Sequence, residues 1–423
     1  MYKDDIMKKL IIEGGRELSG SVRIGGAKNS AVALIPATIL TKGKCVIRNV
    51  PDISDVKILL EMMHELGSKI TYKDEILTVD NKNVENVAIS EEYASKIRAS
   101  YYFMGALLGK FHHAEMSCPG GCVIGSRPID FHIDAFKRMG AHIVENGGNY
   151  KMDAAELQGR DIFFDFPSVG ATINVMFAAV LAKGKTRIIN AAREPEIANV
   201  ASFLNSMGAR IMGAGSGTIE IDGVKELGNG EVDVIPDRIE AGTYLIIGAL
   251  LGRDFKITDI VEEHIYSLIS KLKDAGCNLK VEGDVITINK TKNLKAVNIK
   301  TTVYPGFPTD LGQPMSTFLT QCEGESSFEE TIYENRLRHI PHLNNMGADI
   351  KAFDKTALIR GRTPLVGRKV KATDLRAGAS MLVAGMIADG TTIVYNIEHL
   401  LRGYEKIVDK LNNVGANIRL IDE

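Results

Sequence analysis

Tryptophan is absent from this chain, and aromatic residues make up only 6% of its 423 positions. Stacking of nucleic-acid bases needs aromatic platforms, so that mode of recognition has little to work with. An excess of positive charge is missing too. Lys and Arg number 51 against 53 Asp and Glu, a formal charge of −2, whereas binding a phosphate backbone requires a basic lining. Long hydrophobic runs are also lacking. The longest apolar stretches, such as Ile173 to Ala182, fall short of the roughly 20 residues that span a bilayer, so neither nucleic acid nor membrane is an expected partner. Cysteines are few, odd in number and scattered: Cys45, Cys118, Cys122, Cys277 and Cys322. That is unlike a disulfide framework and points to a reducing cytoplasm. The N-terminus mixes both charge signs and has no apolar segment of the signal-peptide kind, and Met7 is a second candidate start.

What the chain does have is a cadence. A helix-like stretch, a Gly turn and a short apolar strand recur at Gly67, Gly140, Gly208, Gly276, Gly347 and Gly415, in steps of 73, 68, 68, 71 and 68 residues. The stretch before each turn has helical spacing, as in Val56, Leu59, Leu60, Met63 or Tyr404, Ile407, Val408, Leu411, which lays an apolar stripe along one face. The glycine suits a left-handed cap. A second, more apolar helix in each repeat is expected to end at Gly43, Gly109, Gly184, Gly252, Gly324 or Gly390 and to lead into a strand such as 44–50 or 391–397. Each repeat therefore reads as βαβαββ, six times over. At this length one core would exceed the size at which single cores stop growing, roughly 250 to 300 residues. Two domains of three repeats follow, with the boundary at the Leu227-Gly228-Asn229-Gly230 turn and the strand ending at Pro236.

The starts of the six apolar helices are polar: Gly26-Ala27-Lys28-Asn29-Ser30, Lys96-Ile97-Arg98-Ala99-Ser100, Ser168-Val169-Gly170-Ala171-Thr172, Asp237-Arg238-Ile239-Glu240, Thr309-Asp310-Leu311-Gly312 and Thr373-Asp374-Leu375-Arg376. Free N–H groups and the helix dipole make such ends anion sites. Plain capping is the alternative, but recurring Lys and Arg speak against it, because a cation is disfavoured there unless an anion offsets it. Parallel helices would turn these starts toward one shared cleft.

One stretch breaks the symmetry. Pro119-Gly120-Gly121-Cys122-Val123-Ile124-Gly125-Ser126-Arg127-Pro128 presents a thiol on a flexible loop with a guanidinium five residues on, a combination that lowers a thiol pKa. Two other readings stand beside it. Free cysteines commonly act as small packing residues, and His112, His113, Cys118 and Cys122 supply metal-ligand types, although the spacing of the two cysteines is unlike a zinc knuckle and adjacent histidines on a strand would point apart.

In order along the chain, Gly26-Ala27-Lys28-Asn29, the 119–127 loop, Ala192-Arg193-Glu194-Pro195-Glu196, Pro236-Asp237-Arg238-Ile239-Glu240, Phe307-Pro308-Thr309-Asp310, Glu334-Asn335-Arg336, Ala372-Thr373-Asp374-Leu375-Arg376 and Arg402-Gly403-Tyr404-Glu405 are similar to the motifs of the enolpyruvyl transferase family, in its UDP-N-acetylglucosamine 1-carboxyvinyltransferase branch. The resemblance runs from about Met7 to Asp422. It implies an α/β fold of two inside-out α/β barrels, three repeats each, joined by two crossovers, with the domains at 28–235 and at 1–27 plus 236–423. It also implies transfer of the enolpyruvyl group of phosphoenolpyruvate to the 3-hydroxyl of UDP-N-acetylglucosamine with release of phosphate, the first committed step of peptidoglycan synthesis, in the cytoplasm and without metal or other cofactor. A monomer suffices, since both domains lie in one chain.

By the same resemblance Cys122 is the loop cysteine that reacts with phosphoenolpyruvate and serves in general-acid or product-release chemistry. Lys28, Arg127 and Arg402 are phosphoenolpyruvate-binding cations, and Asp310 is the carboxylate that takes the sugar hydroxyl proton. Asn29, Arg98, Ser168, Val169, Gly170 and Ile332 contact the UDP-sugar, and Arg336, Asp374 and Arg376 are further active-site positions. The residue types fit the chemistry: a dianionic substrate calls for several cations, and a hydroxyl nucleophile calls for a proton acceptor. Two departures stand out. Phe166 occupies a place where many relatives carry Lys, which shifts diphosphate binding toward Arg127 and backbone N–H groups, and Ile332-Tyr333 replaces Val-Phe. A 5-enolpyruvylshikimate-3-phosphate synthase shares the repeats but not the Pro-Gly-Gly-Cys loop. A clamp around nucleic acid conflicts with the charge, and a non-catalytic sugar-nucleotide binder would not need both Asp310 and Cys122.

Overall fold

The computed structural model describes residues 8–117, 120 and 129–422. Among these, all six repeat glycines adopt positive φ, between +90° and +109°, the left-handed region that costs a residue with a Cβ and suits Gly. Each closes the same cap. The glycine N–H returns to the carbonyl three residues back and the next N–H to the carbonyl five back, as in Gly140 to Lys137 and Ala141 to Phe136, both 3.0 Å, or Gly415 to Asn412 and Ala416 to Leu411, both 3.1 Å. This is the Schellman arrangement. It turns the chain sharply from an amphipathic helix into an edge strand.

The third repeat gives the plan in full. Strand Asp161–Phe163, helix Val169–Ala179, strand Lys185–Ile189, helix Pro195–Ser206 and the strands Arg210–Met212 and Thr218–Asp222 follow in sequence. In the sheet the order is Arg210–Met212, Thr218–Asp222, Lys185–Ile189, Asp161–Phe163, with the last pair parallel and the others antiparallel. Alternate side chains (Ile188, Ile219, Ile221) are fully buried on the helix side, as the two-residue strand period requires. Five sheets have four strands. The second repeat has three, its fourth place reduced to a single bridge between Ile89 and Met116.

Three sheets are completed by strands from distant sequence. Gly230–Asp233 pairs in parallel with Lys44–Arg48, placing the end of the third repeat in the sheet of the first. Leu18–Arg23 pairs in parallel with Gly252–Thr258. Lys8–Glu13 lies between Thr391–Tyr395 and Ile418–Asp422, antiparallel to both.

The chain divides into two compact units. One comprises the described residues up to Gly25 and from Pro236 onward, the other the described residues between Gly26 and Ile235. Each unit has its own hydrophobic core. In the Gly26–Ile235 unit, helix Tyr102–Phe111 packs against Lys28–Ala37 and Val169–Ala179. In the other, Arg238–Leu251, Thr309–Leu319 and Leu375–Ile387 pack against one another. Helices buried on nearly all sides with sheets outside them form the inside-out barrel.

The expected glycine ends of these inner helices need correcting. Gly184, Gly324 and Gly390 take positive φ, but helix Tyr102–Phe111 runs past Gly109 and ends at His112, itself left-handed at φ 56°. Gly109 and Gly105 serve packing: an added Cβ would lie 2.5 Å from the carbonyl oxygens of Phe177 and Asn174 respectively. These two glycines, one turn apart, let the inner helices touch backbone to backbone. Gly252 does end its helix as expected: it caps Arg238–Leu251 and opens strand Gly252–Thr258, at φ −71° and without a left-handed turn.

Candidate active site

In the unit from Pro236 onward, the polar helix starts converge through side chains. Asp310 is the second residue of helix Thr309–Leu319. Its two carboxylate oxygens are taken separately, Oδ1 by an Nη of Arg336 and Oδ2 by an Nη of Arg376 at 2.9 Å. The Arg336 and Arg376 side chains are only 3% and 8% exposed, while about a quarter of Asp310 (27%) remains open. Burial alone would raise the Asp310 pKa, but the charges of Arg376 and Arg336 outweigh it and hold the carboxyl well below the usual range. Asp310 is therefore ionised at any working pH, available as an acceptor and weak as a base.

The clamp is itself held. Arg336 lies over the Tyr333 ring at 5.5 Å and Arg376 over Tyr404 at 5.6 Å, contacts that orient a guanidinium. Tyr404 exchanges a 2.8 Å hydrogen bond with Thr243. Gln313, fully buried, donates from Nε2 to the Arg336 carbonyl at 2.7 Å and to Asp374 Oδ2 at 3.2 Å. The other oxygen of Asp374 caps helix Leu375–Ile387, accepting from Arg376 N at 2.8 Å and Ala377 N at 3.1 Å, which is why Asp is favoured at that position. Buried His339 lies beside this network. A ring nitrogen is near the Arg336 carbonyl, neither nitrogen has a well-formed hydrogen bond, and burial pushes the imidazole down to about 4.

Glu330 ties in the segment that carries Ile332. One oxygen accepts from Ile332 N at 2.7 Å and Thr301 Oγ1 at 3.0 Å, the other from Thr309 Oγ1 at 2.7 Å. Arg402 sits half-buried at the C-cap of the short helix Glu398–Leu401.

In the Gly26–Ile235 unit, Lys28 is the first residue of its helix. Its ammonium pairs at 2.7 Å with Asp55, a buried carboxylate in the first turn of helix Ser54–Glu65. The anion that offsets the cation at this helix start is thus supplied from within the protein. Asn29 is half-buried in the same first turn. Arg98 opens a short 3₁₀ turn and stacks over Tyr101 at 5.7 Å. Tyr101 in turn meets the edge of His132 at 5.1 Å and covers Gly170, where an added Cβ would lie 2.8 Å from the phenol oxygen. Ser168 caps helix Val169–Ala179 by accepting from Ala171 N at 3.3 Å. Val169 is half-buried beside it, and Phe166 is exposed. His132 is buried, joined to Asn174 at 3.0 Å, and lowered by burial to about 3.

Cys122, Arg127 and Cys118 lie outside the described residues. The three described cysteines, Cys45, Cys277 and Cys322, are buried, and burial pushes each thiol up to about 12, which makes them poor nucleophiles. Among the described residues no group of three or more His, Cys, Asp or Glu is placed to hold a metal ion. His113, one of the histidines of the metal reading, instead contacts Asp153 at 2.6 Å.

The structure thus joins Asp310, Arg336, Asp374 and Arg376 in one network, groups Arg98 with Gly170 through Tyr101, and pairs Lys28 with a residue that sequence reasoning missed. Asp55, Gln313, Glu330, His132 and His339 all escaped it. Only Asp55 left a local signal, an acidic residue in a helix first turn.

Comparison with known proteins shows the family and the fold. The family model described as EPSP synthase (3-phosphoshikimate 1-carboxyvinyltransferase) matches residues 12–411. UDP-N-acetylglucosamine 1-carboxyvinyltransferase 2 of Bacillus cereus is 51% identical over 413 residues, 97% of this chain and 96% of that protein. UDP-N-acetylglucosamine 1-carboxyvinyltransferase 1 of Streptococcus agalactiae serotype Ia is 48% identical over 419 residues, 99% of this chain and all of that one. Among solved structures, the enolpyruvyl transferase NikO from Streptomyces tendae superposes with a TM-score of 0.90 at 26% identity, covering 99% of this chain and 100% of that chain. EPSP synthase from Acinetobacter baumannii, with a TM-score of 0.77 at 17% identity over 98% of this chain and 100% of that one, shares the fold.

Proposed function

The chain belongs to the EPSP synthase family of carboxyvinyltransferases, in its UDP-N-acetylglucosamine branch, and from that premise we propose how it moves the enolpyruvyl group of phosphoenolpyruvate to the 3-hydroxyl of UDP-N-acetylglucosamine. The observation that carries the reading is identity of about half the residues to two such enzymes over essentially the whole length of both partners. The alternative acceptor, shikimate 3-phosphate, is that of the enzyme which gives the family model its description and which, as a solved structure, is only 17% identical to this chain.

The chemistry is an addition followed by an elimination. A proton added to the methylene carbon of phosphoenolpyruvate leaves an oxocarbenium-like centre at C2. The sugar 3-hydroxyl attacks that centre and gives up its proton. Departure of phosphate and loss of a proton from the new methyl group then restore the double bond as an enol ether. Cys122 is the group proposed to act at the carbon side, as acid or as a transient nucleophile on C2. Lys28, Arg127 and Arg402 hold the anionic ends, where each cation stabilises charge that grows on the leaving phosphate.

Asp310 is the acceptor for the hydroxyl proton. Held between Arg336 and Arg376, it stays ionised and correctly turned, yet it is too weakly basic to remove a proton from a resting alcohol. Proton transfer therefore accompanies bond formation to C2, when the hydroxyl oxygen becomes strongly acidic. Asn29, Arg98, Ser168, Val169, Gly170 and Ile332 bind the sugar nucleotide, with the Arg98–Tyr101 stack presenting a guanidinium to the diphosphate. Asp374 positions Arg376 through the helix cap. Both substrates are cytoplasmic metabolites, which fits a cytoplasmic site of action, and among the described residues no helix is long and apolar enough to cross a membrane. A coupled phosphate-release assay offering phosphoenolpyruvate with either UDP-N-acetylglucosamine or shikimate 3-phosphate tests the reading. Turnover only with the sugar nucleotide is expected, and turnover only with shikimate 3-phosphate would overturn it.

A further inference from the structure

A second concentration of cations lies on the same unit as Asp310 but apart from its clamp. Arg338 and His342 flank the start of helix Ile340–Asn345, Lys371 ends strand Lys369–Lys371, Thr373 follows it, and Asn396 and His399 come from the turn after strand Thr391–Tyr395 and the short helix Glu398–Leu401. Together they line a cavity of about 470 Å³, within the 300–1,000 Å³ range of small-molecule sites.

Three features of the lining point to one ligand chemistry. Four of its residues, Arg338, His342, Lys371 and His399, can carry positive charge, and no carboxylate is among the described residues that line it. The nearest acids in sequence, Asp374 and Glu398, are directed elsewhere: Asp374 to the Arg376 and Ala377 N–H groups and to Gln313, and Glu398 to the Lys8 N–H. The Thr373 hydroxyl, which has no hydrogen-bond partner among the described residues, is closed off from solvent, so the donors facing a ligand come from the basic residues and Asn396. His342 is held below its ordinary pKa first by burial and second by the Lys371 ammonium, which lies close enough to act on it. A tetrahedral oxyanion offers several acceptor atoms to donors arriving from different elements, and it can take a guanidinium, an ammonium and imidazoles at once.

We propose that this cavity between the Arg338–His342 segment, the Lys371–Thr373 segment and His399 is a binding site for a phosphate-bearing small molecule, separate from the Asp310 clamp. The volume exceeds what one phosphate needs, so the phosphate would be one end of a larger metabolite. The site depends on Lys371 and His342, neither of which has a part in the carboxyvinyl transfer described above.

The test uses the full chain with labelled histidine side chains, followed by NMR during titration with inorganic phosphate, diphosphate or acetate at constant ionic strength. His342→Gln assigns the His342 signal. Saturable movement of the His342 and His399 signals with phosphate and diphosphate, a rise in the His342 titration midpoint, and at least about a tenfold loss of phosphate affinity in Lys371→Glu are expected. Phosphate binding at Arg402 alone, which caps the short helix carrying His399, would leave the His342 signal in place and would overturn the proposal. Linear, unsaturable shifts would do so as well, as would equal affinity for acetate or undiminished binding in Lys371→Glu.

Discussion

Replacing Asp310 by Asn keeps the shape of the side chain and removes its charge, which isolates what the double-arginine clamp contributes. In the native protein the carboxylate neutralises two guanidiniums whose side chains are 3% and 8% exposed. Removing one partner of a buried ion pair costs about 3–5 kcal/mol, because a charge is left uncompensated away from water. Asp310 keeps 27% of its side-chain surface open, so solvent recovers part of that cost and the lower end, about 3 kcal/mol, applies. With a urea dependence of about 3 kcal/mol/M, the unfolding midpoint should drop by about 1 M. Far-UV circular dichroism is the suitable probe, since the chain has no Trp. A second change sharpens the test. Adding Arg376→Met to Asp310→Asn removes one of the stranded charges and should return part of the lost stability, a coupling that independent sites do not give. Turnover of the Asn variant should fall at least about 100-fold, as for loss of a positioned proton acceptor, with much less effect on UDP-sugar affinity. An Asn variant as stable as the native chain would refute the clamp as described. One that binds poorly yet turns over normally at saturation would make Asp310 a binding residue only.

Further outcomes follow from other parts of the molecule. An epoxide mimic of phosphoenolpyruvate such as fosfomycin should add once, at Cys122, and stop turnover, leaving Cys45, Cys277 and Cys322 unmodified because burial holds their thiols up at about 12; Cys122→Asp should keep some activity and resist the epoxide, and peptide mapping of the adduct to Cys118 would contradict this. His132 and His339 are held neutral by burial, at about 3 and about 4 against an ordinary 6.5. Below pH 6.5 the unfolded chain takes up protons that the folded chain refuses, so stability falls with falling pH by about 1.4 kcal/mol per unit for each imidazole, down to about pH 4. His339→Gln should remove one proton from that slope, and an unchanged slope between pH 6.5 and 4 would show that the ring is accessible. Gly105→Ala would place a Cβ 2.5 Å from the Asn174 carbonyl oxygen and should cost about 1–3 kcal/mol by overpacking; a variant with native thermal stability would mean that the two inner helices separate easily.

Legibility from sequence followed the range of the interactions. The six Schellman caps were readable because a positive φ is a local demand that Gly meets, and each cap uses residues within five positions of one another. Gly105 and Gly109 show the limit of the same signal. A glycine selected for close packing looks identical to one selected for a turn. The exchanged strands Lys8–Glu13, Leu18–Arg23 and Gly230–Asp233 were invisible as such, since nothing within them specifies a partner more than 180 residues away in pairings such as Gly230 with Cys45 or Lys9 with Tyr395. The site behaved likewise. Asp310, Arg336 and Arg376 were each identifiable from motifs, but separations of 26 and 66 residues gave no hint that one carboxylate would hold both arginines. Lys28 stood out as a cation at a helix start, while Asp55, the residue that makes that placement tolerable, belongs to a different helix.

The central claim is an addition and elimination at C2 and C3 of phosphoenolpyruvate with UDP-N-acetylglucosamine as acceptor, and proton NMR of the product formed in deuterium oxide tests it most directly. Protonation of the methylene carbon from exchangeable groups creates a methyl group carrying one deuteron, and its later loss of a hydron must leave deuterium in part of the vinyl product. The account predicts an enol ether at the sugar 3-position, released phosphate in equal amount, and partial deuteration of the vinyl carbon. A 3-enol ether free of deuterium would contradict it, because the group would then have been transferred without protonation at that carbon.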